Sequence, residues 1–219
     1  MHRMRTFEYD GVLETHETAA GPLALWRVAD LARHVDRGAL LATPSDGGEP
    51  PEPPYWAHLW SGALVLARAV PRGARSALEV GCGLGLPGLV AARQGARVTF
   101  VDRAPAALAF VRASAAANGL AAPDCCAADF TTPALRGRFD LVLAAEVLYD
   151  RDAFAATAEV FARLIAPGGR ALLADAARID TRAFYELLAP AGLRWQAEPH
   201  EVREEGFPVV VRLVELRHA

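Results

Sequence analysis

The chain has 219 residues, 26 acidic and 23 basic side chains, a formal net charge of -3 and 53% hydrophobic residues. That is enough for one well-buried domain with a modest addition and too little for two ordinary enzyme domains. The slightly acidic balance provides no broad basic field for a nucleic-acid backbone, and no apolar run approaches membrane-spanning length, so protein or small-molecule partners are expected. Every basic residue is an arginine; lysine does not occur. Cys82, Cys125 and Cys126 have no CxxC spacing and no neighbouring His pair, which argues against a disulfide framework or a zinc site and suits a reducing compartment. Glu8, Asp10, Glu14 and Glu17 in the first thirty residues are unlike a secretory signal, so a cytoplasmic location is expected.

In chain order, Thr6 to Glu17 alternates polar and apolar residues around Asp10-Gly11, which reads as a hairpin turn, and Leu23 to Val35 spaces its apolar residues like a helix. Thr43 to Pro54 is rich in Pro, Gly and acid, a loop that divides an N-terminal extension (residues 1–54) from a core domain (residues 55–219) and could act as a hinge or cover. A helix is predicted over 60–69 and a strand over 76–81. Strands and helices then alternate: helix 86–94, strand 97–101, helix 105–118, a short strand near 124–127, strand 139–145, helix 152–165, strand 170–175 and helix 182–189. Asn118-Gly119, Pro167-Gly168-Gly169 and Pro190-Ala191-Gly192 mark the helix ends. Strands near 193–199 and 208–217 close the chain with no helix between them, so they can pair only as an antiparallel hairpin. The expected fold is α/β, a Rossmann-like, doubly wound, seven-stranded and mostly parallel sheet with a C-terminal antiparallel hairpin.

The richest stretch is Ser76-Ala77-Leu78-Glu79-Val80-Gly81-Cys82-Gly83-Leu84-Gly85-Leu86-Pro87-Gly88, a buried strand that breaks into glycines and resumes as a helix. Glycines let the backbone turn sharply and approach a ligand that a Cβ would hold off. Twenty-one residues past Gly81, the next strand ends on Asp102, placed to accept hydrogen bonds from both hydroxyls of a ribose. The glycines alone do not choose the cofactor, because Gly83-x-Gly85-x-x-Gly88 also satisfies the dinucleotide fingerprint.

Three segments in order, Pro54-Tyr55-Trp56-Ala57-His58-Leu59-Trp60-Ser61-Gly62-Ala63, the glycine loop, and Ala144-Ala145-Glu146-Val147-Leu148-Tyr149-Asp150, resemble the class I S-adenosylmethionine (SAM) methyltransferases. Within that class they look like the protein lysine methyltransferase family that includes the electron-transfer-flavoprotein β-subunit methyltransferases. The resemblance spans roughly residues 55 to 217 and implies SAM as cofactor. It implies that Gly81, Gly83 and Gly85 pass the methionine and ribose, that Asp102 holds the ribose hydroxyls, and that Asp129 and Phe130 flank the adenine, where the family commonly has Trp at the Phe130 place. It also places Ala145 and Trp60 against the cofactor, while Glu79 and the terminal strand pair favour SAM over a dinucleotide. Glu146 to Tyr149 stands where the family has Asp-x-x-Tyr, so the carboxylate arm is one methylene longer here.

The resemblance implies methylation of an amine on a protein substrate, with Glu146 orienting the ammonium and Tyr149 packing on its alkyl stem or hydrogen-bonding the amine. Bland alternatives stand beside these roles. Glu146 could cap helix 152–165, Asp129 could cap a turn, Tyr149 could be core, and Trp56 and Trp60, four apart, could be a helical packing pair. His58 is left out of the site, since a lone His near a helix start is more often a cap or surface residue. Two rival functions remain: a small-molecule methyltransferase lidded by the N-terminal segment and the Thr43 to Pro54 loop, and a SAM- or dinucleotide-binding module without catalysis.

Overall fold

In the computed structural model, residues 3–6, 8–35, 53–132, 135–204 and 206–219 are described. Seven strands form the central sheet: β4 (Ser76–Val80), β5 (Arg97–Asp102), β6 (Asp124–Ala127), β7 (Phe139–Ala145), β8 (Ile165–Asp175), β9 (Leu193–Glu204) and β10 (Phe207–His218). Their spatial order is β6-β5-β4-β7-β8-β10-β9. The five strands from β6 to β8 run parallel, and β10 enters antiparallel between β8 and β9. From β4 the chain winds outward to β5 and β6, then returns to β7 on the other side. The order therefore reverses between β4 and β7, the place where open α/β sheets leave a crevice at the strands' carboxyl ends.

Helices cover both faces of this sheet. Ala77, Phe100, Leu141 and Leu172 share one apolar cluster with α1 (Ser61–Ala69), α2 (Leu86–Arg93) and α3 (Pro105–Ala117), through Leu66, Leu89 and Phe110. Leu78, Val101, Val142 and Leu173 point the other way, into a cluster with α4 (Phe154–Leu164) and α5 (Arg182–Leu188), through Phe161 and Phe184. Successive residues of a strand serve opposite layers, which is why these strands are almost uniformly apolar rather than alternating. Among the described residues, no helix is long and apolar enough to cross a membrane.

The N-terminal part departs from expectation. Leu23 to Val35 is not a helix: β3 (Gly21–Val28) pairs antiparallel with β2 (Tyr9–Thr18), and only a 3-10 turn follows at Leu31–His34. Tertiary partners decide this. The Trp26 N–H donates to Ser114 Oγ at 2.9 Å, and Asn118 of the α3 C-cap accepts from the Ala24 N–H and donates to its carbonyl, contacts that only an extended β3 can offer. Nor do Asp10-Gly11 form the turn. They lie within β2, where a Cβ on Gly11 would come within 3.2 Å of Met4 and Trp26, so the glycine serves close packing. The two turns fall instead between Thr6 and Tyr9, joining β2 to β1 (Arg3–Thr6), and at Ala19-Ala20, where Thr18 Oγ1 bridges to the Ala20 N–H and the Gly21 carbonyl. Pro167-Gly168-Gly169 lies inside β8, which begins as soon as α4 ends. A Cβ on Gly169 would sit 2.9 Å from the Asp140 carbonyl oxygen, so this glycine permits a close strand approach. Most of the Thr43 to Pro54 loop lies outside the described residues.

Candidate functional site

The glycine loop is built at the carboxyl end of β4. Gly81, Gly83 and Gly85 have φ of 56°, 49° and 74°, left-handed values that a side chain would strain. The Gly83 N–H donates to Asp102 Oδ2 at 2.8 Å, and the Ala104 N–H donates to Asp102 Oδ1 at 2.9 Å. Asp102 thus pins the loop and the start of the next segment from the end of β5. Burial raises its pKa, against the lowering effect of the Ala104 and Gly83 N–H groups and of Arg103. Glu79, 2% exposed, lies beneath the loop and accepts the Gly88 N–H at 2.8 Å, capping the first turn of α2. Its space exists because Gly88 has no side chain: a Cβ there would be 2.5 Å from Glu79 Oε2. Burial pushes Glu79 up to about 8, with the Gly88 N–H opposing and the Asp102 charge adding to the rise.

Across the crevice, β7 ends at Ala145 and the chain turns at Glu146, which has a φ of 56°. A non-glycine residue in this region is strained and is found where surrounding structure fixes it. Glu146 Oε1 accepts the Gly62 N–H at 3.1 Å and Oε2 accepts the Ala176 N–H at 3.3 Å, with Arg178 Nε 3.4 Å away. Burial raises its pKa, opposed by Arg178 and the Ala176 and Gly62 N–H groups. The carboxylate does cap a helix, but the helix is α1 rather than the one over 152–165, whose N-cap is Ala153 without a side-chain bond. Trp60 is the N-cap residue of α1, and its Nε1 donates to the Tyr55 carbonyl at 3.1 Å. Asp129 Oδ1 accepts both the N–H and the hydroxyl of Thr131, and these bonds with the Arg103 charge hold its pKa low although burial pulls it up. Tyr149, 56% exposed, accepts a hydrogen bond on its hydroxyl from Arg103 Nη2 at 3.2 Å.

All of these groups meet in one cavity of about 1050 Å³. Trp60, Glu79, Gly81, Gly83, Gly85, Asp102, Asp129, Phe130, Ala145, Glu146 and Tyr149 all line it. So do Glu8, Tyr9, His34, Tyr55, Arg103, Asp150, Asp152 and Arg178, which sequence reasoning did not nominate, and His58, which it set aside. Glu8, at the turn before β2, Tyr9, at its start, and His34, in the 3-10 turn after β3, had no motif to betray them. Arg103 has only its place after Asp102 as a signal. Among the described residues the lining contains seven carboxylates against two arginines, and Tyr55 and Tyr149, 54% and 56% exposed, mark where it opens to solvent. Among the described residues, no group of three His, Cys, Asp or Glu is placed to hold a metal.

Residues 78–173 match the methyltransferase domain family. The mouse protein N-lysine methyltransferase METTL21A is 34% identical over 139 residues, covering 57% of this chain and 62% of that protein. The chain is thus similar to methyltransferases over this region. It spans less than two thirds of the mouse protein's length. The domain's fold is shared with the N-methyltransferase NodS of Bradyrhizobium japonicum WM9 (TM-score 0.57, 19% identity, 72% of this chain and 93% of that one). It is shared as well with the magnesium protoporphyrin IX methyltransferase ChlM of Synechocystis PCC 6803, whose structure holds SAM (TM-score 0.55, 20% identity, 71% and 76% covered). The domain's own residues fit SAM. Its glycine cradle faces the cavity with no Cβ in the way, and the carboxylates that line the same cavity are of the chemistry that a sulfonium, an ammonium or a ribose hydroxyl favours.

Proposed function

We propose that the protein N-methylates a lysine side chain of a protein substrate, with SAM as methyl donor. The supporting observation is the form of the cavity that the described residues build: acid-rich, open to solvent, and edged by two exposed tyrosines. A long cationic side chain on a larger partner can enter such a mouth, whereas a lidded apolar pocket would suit a small neutral acceptor. The similarity to a mouse protein named as an N-lysine methyltransferase points the same way.

When bound, SAM supplies an electrophilic methyl group on a sulfonium. In this reading Gly81, Gly83 and Gly85 lie along its methionine and ribose, Asp102 holds the ribose hydroxyls, Asp129 and Phe130 flank the adenine, and Trp60 and Ala145 wall the reacting end. Transfer to an amine is an in-line displacement, so positioning and exclusion of water dominate the barrier. The buried Phe130, Val147 and Leu84 keep the inner end dry.

The amine must be neutral at attack, although a free lysine titrates near about 10.4. A bare carboxylate beside it would hold the ammonium and oppose reaction. Glu146 avoids this because its charge is already shared with two N–H groups and Arg178. It orients the incoming amine at one remove, while Asp150 and Asp152, both exposed, draw the cationic chain to the mouth and pass its proton toward solvent. Tyr149 packs on the alkyl stem.

The test is incubation of the purified protein with methyl-labelled SAM and a soluble extract of its source organism, followed by separation of macromolecules from small molecules. Label is expected in a discrete, protease-sensitive band, on lysine by mass spectrometry. The absence of lysine in this chain removes side-chain lysine automethylation from the background. Label confined to the small-molecule fraction, above a no-enzyme control, would overturn the protein-substrate reading.

A further inference from the structure

Arg178 stands where four parts of the molecule converge: the end of β7, the segment after β8, β9 and the entry to α1. Its Nε is 3.4 Å from Glu146 Oε2, its Nη2 is 2.8 Å from Glu204 Oε2, and its guanidinium carbon lies 4.5 Å over the Trp60 ring. The two carboxylates it grips also take the first two backbone N–H groups of α1, Ser61 to Glu204 at 3.2 Å and Gly62 to Glu146 at 3.1 Å. The preceding residue, Ala177, is held at a φ of 49°, and its N–H donates to Asp175 Oδ1 at 2.7 Å. Left-handed residues thus occur at Glu146 and Ala177, just beyond the neighbouring strands β7 and β8, and together they aim the carboxylate and the guanidinium at each other.

We infer that Arg178 is a positioning residue for methyl transfer: it locks the Glu146 carboxylate and the Trp60 ring into the cavity wall, and thereby sets SAM affinity and the alignment of the acceptor. The inference rests on the function proposed above. A guanidinium is suited to this place because its planar fork reaches two carboxylates from different elements while its face stacks on an indole; a lysine ammonium is a point charge that cannot do all three. Among the described residues the other charged groups around Glu146 are Asp175, at the end of β8 and paired with Arg212 at 2.7 Å, and Glu204, on β9; neither carboxylate is relieved by a second free cation facing Glu146. Both are acidic. Without Arg178 the Glu146 side chain, 7% exposed, keeps only its two backbone donors against two negative neighbours, and it takes up a proton at higher pH than in the parent protein.

The experiment compares Arg178→Ala, Arg178→Lys and Glu204→Gln with the parent chain in three measurements. These are SAM affinity by calorimetry, methyl transfer to the labelled band across a pH series, and thermal stability. Arg178→Ala is expected to lower kcat/KM by about tenfold to a hundredfold, as for a displaced wall in a site that works by alignment, and to move the acid limb of the pH profile upward. Arg178→Lys restores the acid limb, because the charge returns, without restoring the full rate, because the fork does not. Glu204→Gln, which leaves Glu146 and its donors in place, weakens SAM binding several-fold by loosening Arg178 over Trp60. An arginine with only a structural role would lower the melting temperature and leave SAM affinity, kcat and the acid limb of all three variants at parental values when assayed below it. That result overturns the inference alone. A parent chain that neither binds SAM nor transfers label overturns the function reading, and this inference with it.

Discussion

Glu79 offers a stability experiment with a definite sign. Its folded-state carboxyl titrates at about 8 against an ordinary 4.5, so between those values the native protein holds a proton that the unfolded chain has released. Stability must therefore fall as pH rises through this window and level off above it. At about 1.4 kcal/mol per pH unit, the difference amounts to about 5 kcal/mol at most, because the neighbouring Asp102, also raised by burial, takes part in the same titration. Glu79→Gln keeps an acceptor for the Gly88 N–H and removes the titration. Urea unfolding of both proteins in a buffer series should show similar stability at the acid end and a growing advantage for Glu79→Gln toward pH 8. A cationic ligand favours the ionised Glu79, so calorimetry of SAM binding near neutral pH, in two buffers of different ionisation heat, should register proton release from the parent and less from Glu79→Gln. Stability curves that run parallel across the whole series would refute the buried, protonated Glu79.

Asp102 uses one carboxylate oxygen for each of two backbone donors; Asp102→Asn leaves one of them facing an amide N–H, which should cost about 1–3 kcal/mol in urea unfolding. The same variant should weaken SAM binding by at least about tenfold, or 1.4 kcal/mol, and unchanged affinity in calorimetry would remove Asp102 from the ribose. Gly83→Ala combines a φ of 49° with a Cβ only 2.9 Å from the Trp56 carbonyl oxygen, so it should lose about 1–2 kcal/mol of stability from the backbone alone together with SAM affinity; a neutral effect on both would mean the loop has room to move. Glu146→Asp should unmake the cap on Gly62, and Gly62→Ala should crowd it, each costing about 1–3 kcal/mol. The double variant should cost less than the sum, as measured by a thermodynamic cycle of urea midpoints, and strict additivity would show that the two residues do not share the space.

Legibility in the sequence followed the reach of each signal. The βα rhythm from β4 onward could be read because strand, glycine turn and helix are adjacent in the chain, and the terminal strand pair because no helix intervenes. The glycine loop and Asp102 were readable for the same reason: their spacing is fixed by one βαβ unit. The N-terminal sheet was not. Leu23, Leu25, Trp26 and Val28 are buried in a spacing that fits a helix nearly as well as a strand, and the deciding bonds go to Ser114 and Asn118, about ninety residues away. Arg178 was invisible for a related reason, since its partners Glu146, Glu204 and Trp60 come from three other segments and no short motif contains them.

The longer arm at Glu146 makes sense only beside Gly62. A Cβ at position 62 would lie 2.6 Å from Glu146 Oε1, so any side chain there would displace the carboxylate. With glycine, the extra methylene carries Oε1 onto the Gly62 N–H, where a helix start holds donors without intrahelical partners and favours negative charge. Trp60, as N-cap, makes no side-chain cap of its own, and Ser61 is served by Glu204. The entry of α1 is thus capped from a distance by two carboxylates that share Arg178. Glutamate in place of the aspartate carried by the family that this motif resembles does not move a charge deeper into the cavity. It moves that charge sideways, onto α1 and Arg178, and leaves the mouth to Tyr149, Asp150 and Asp152.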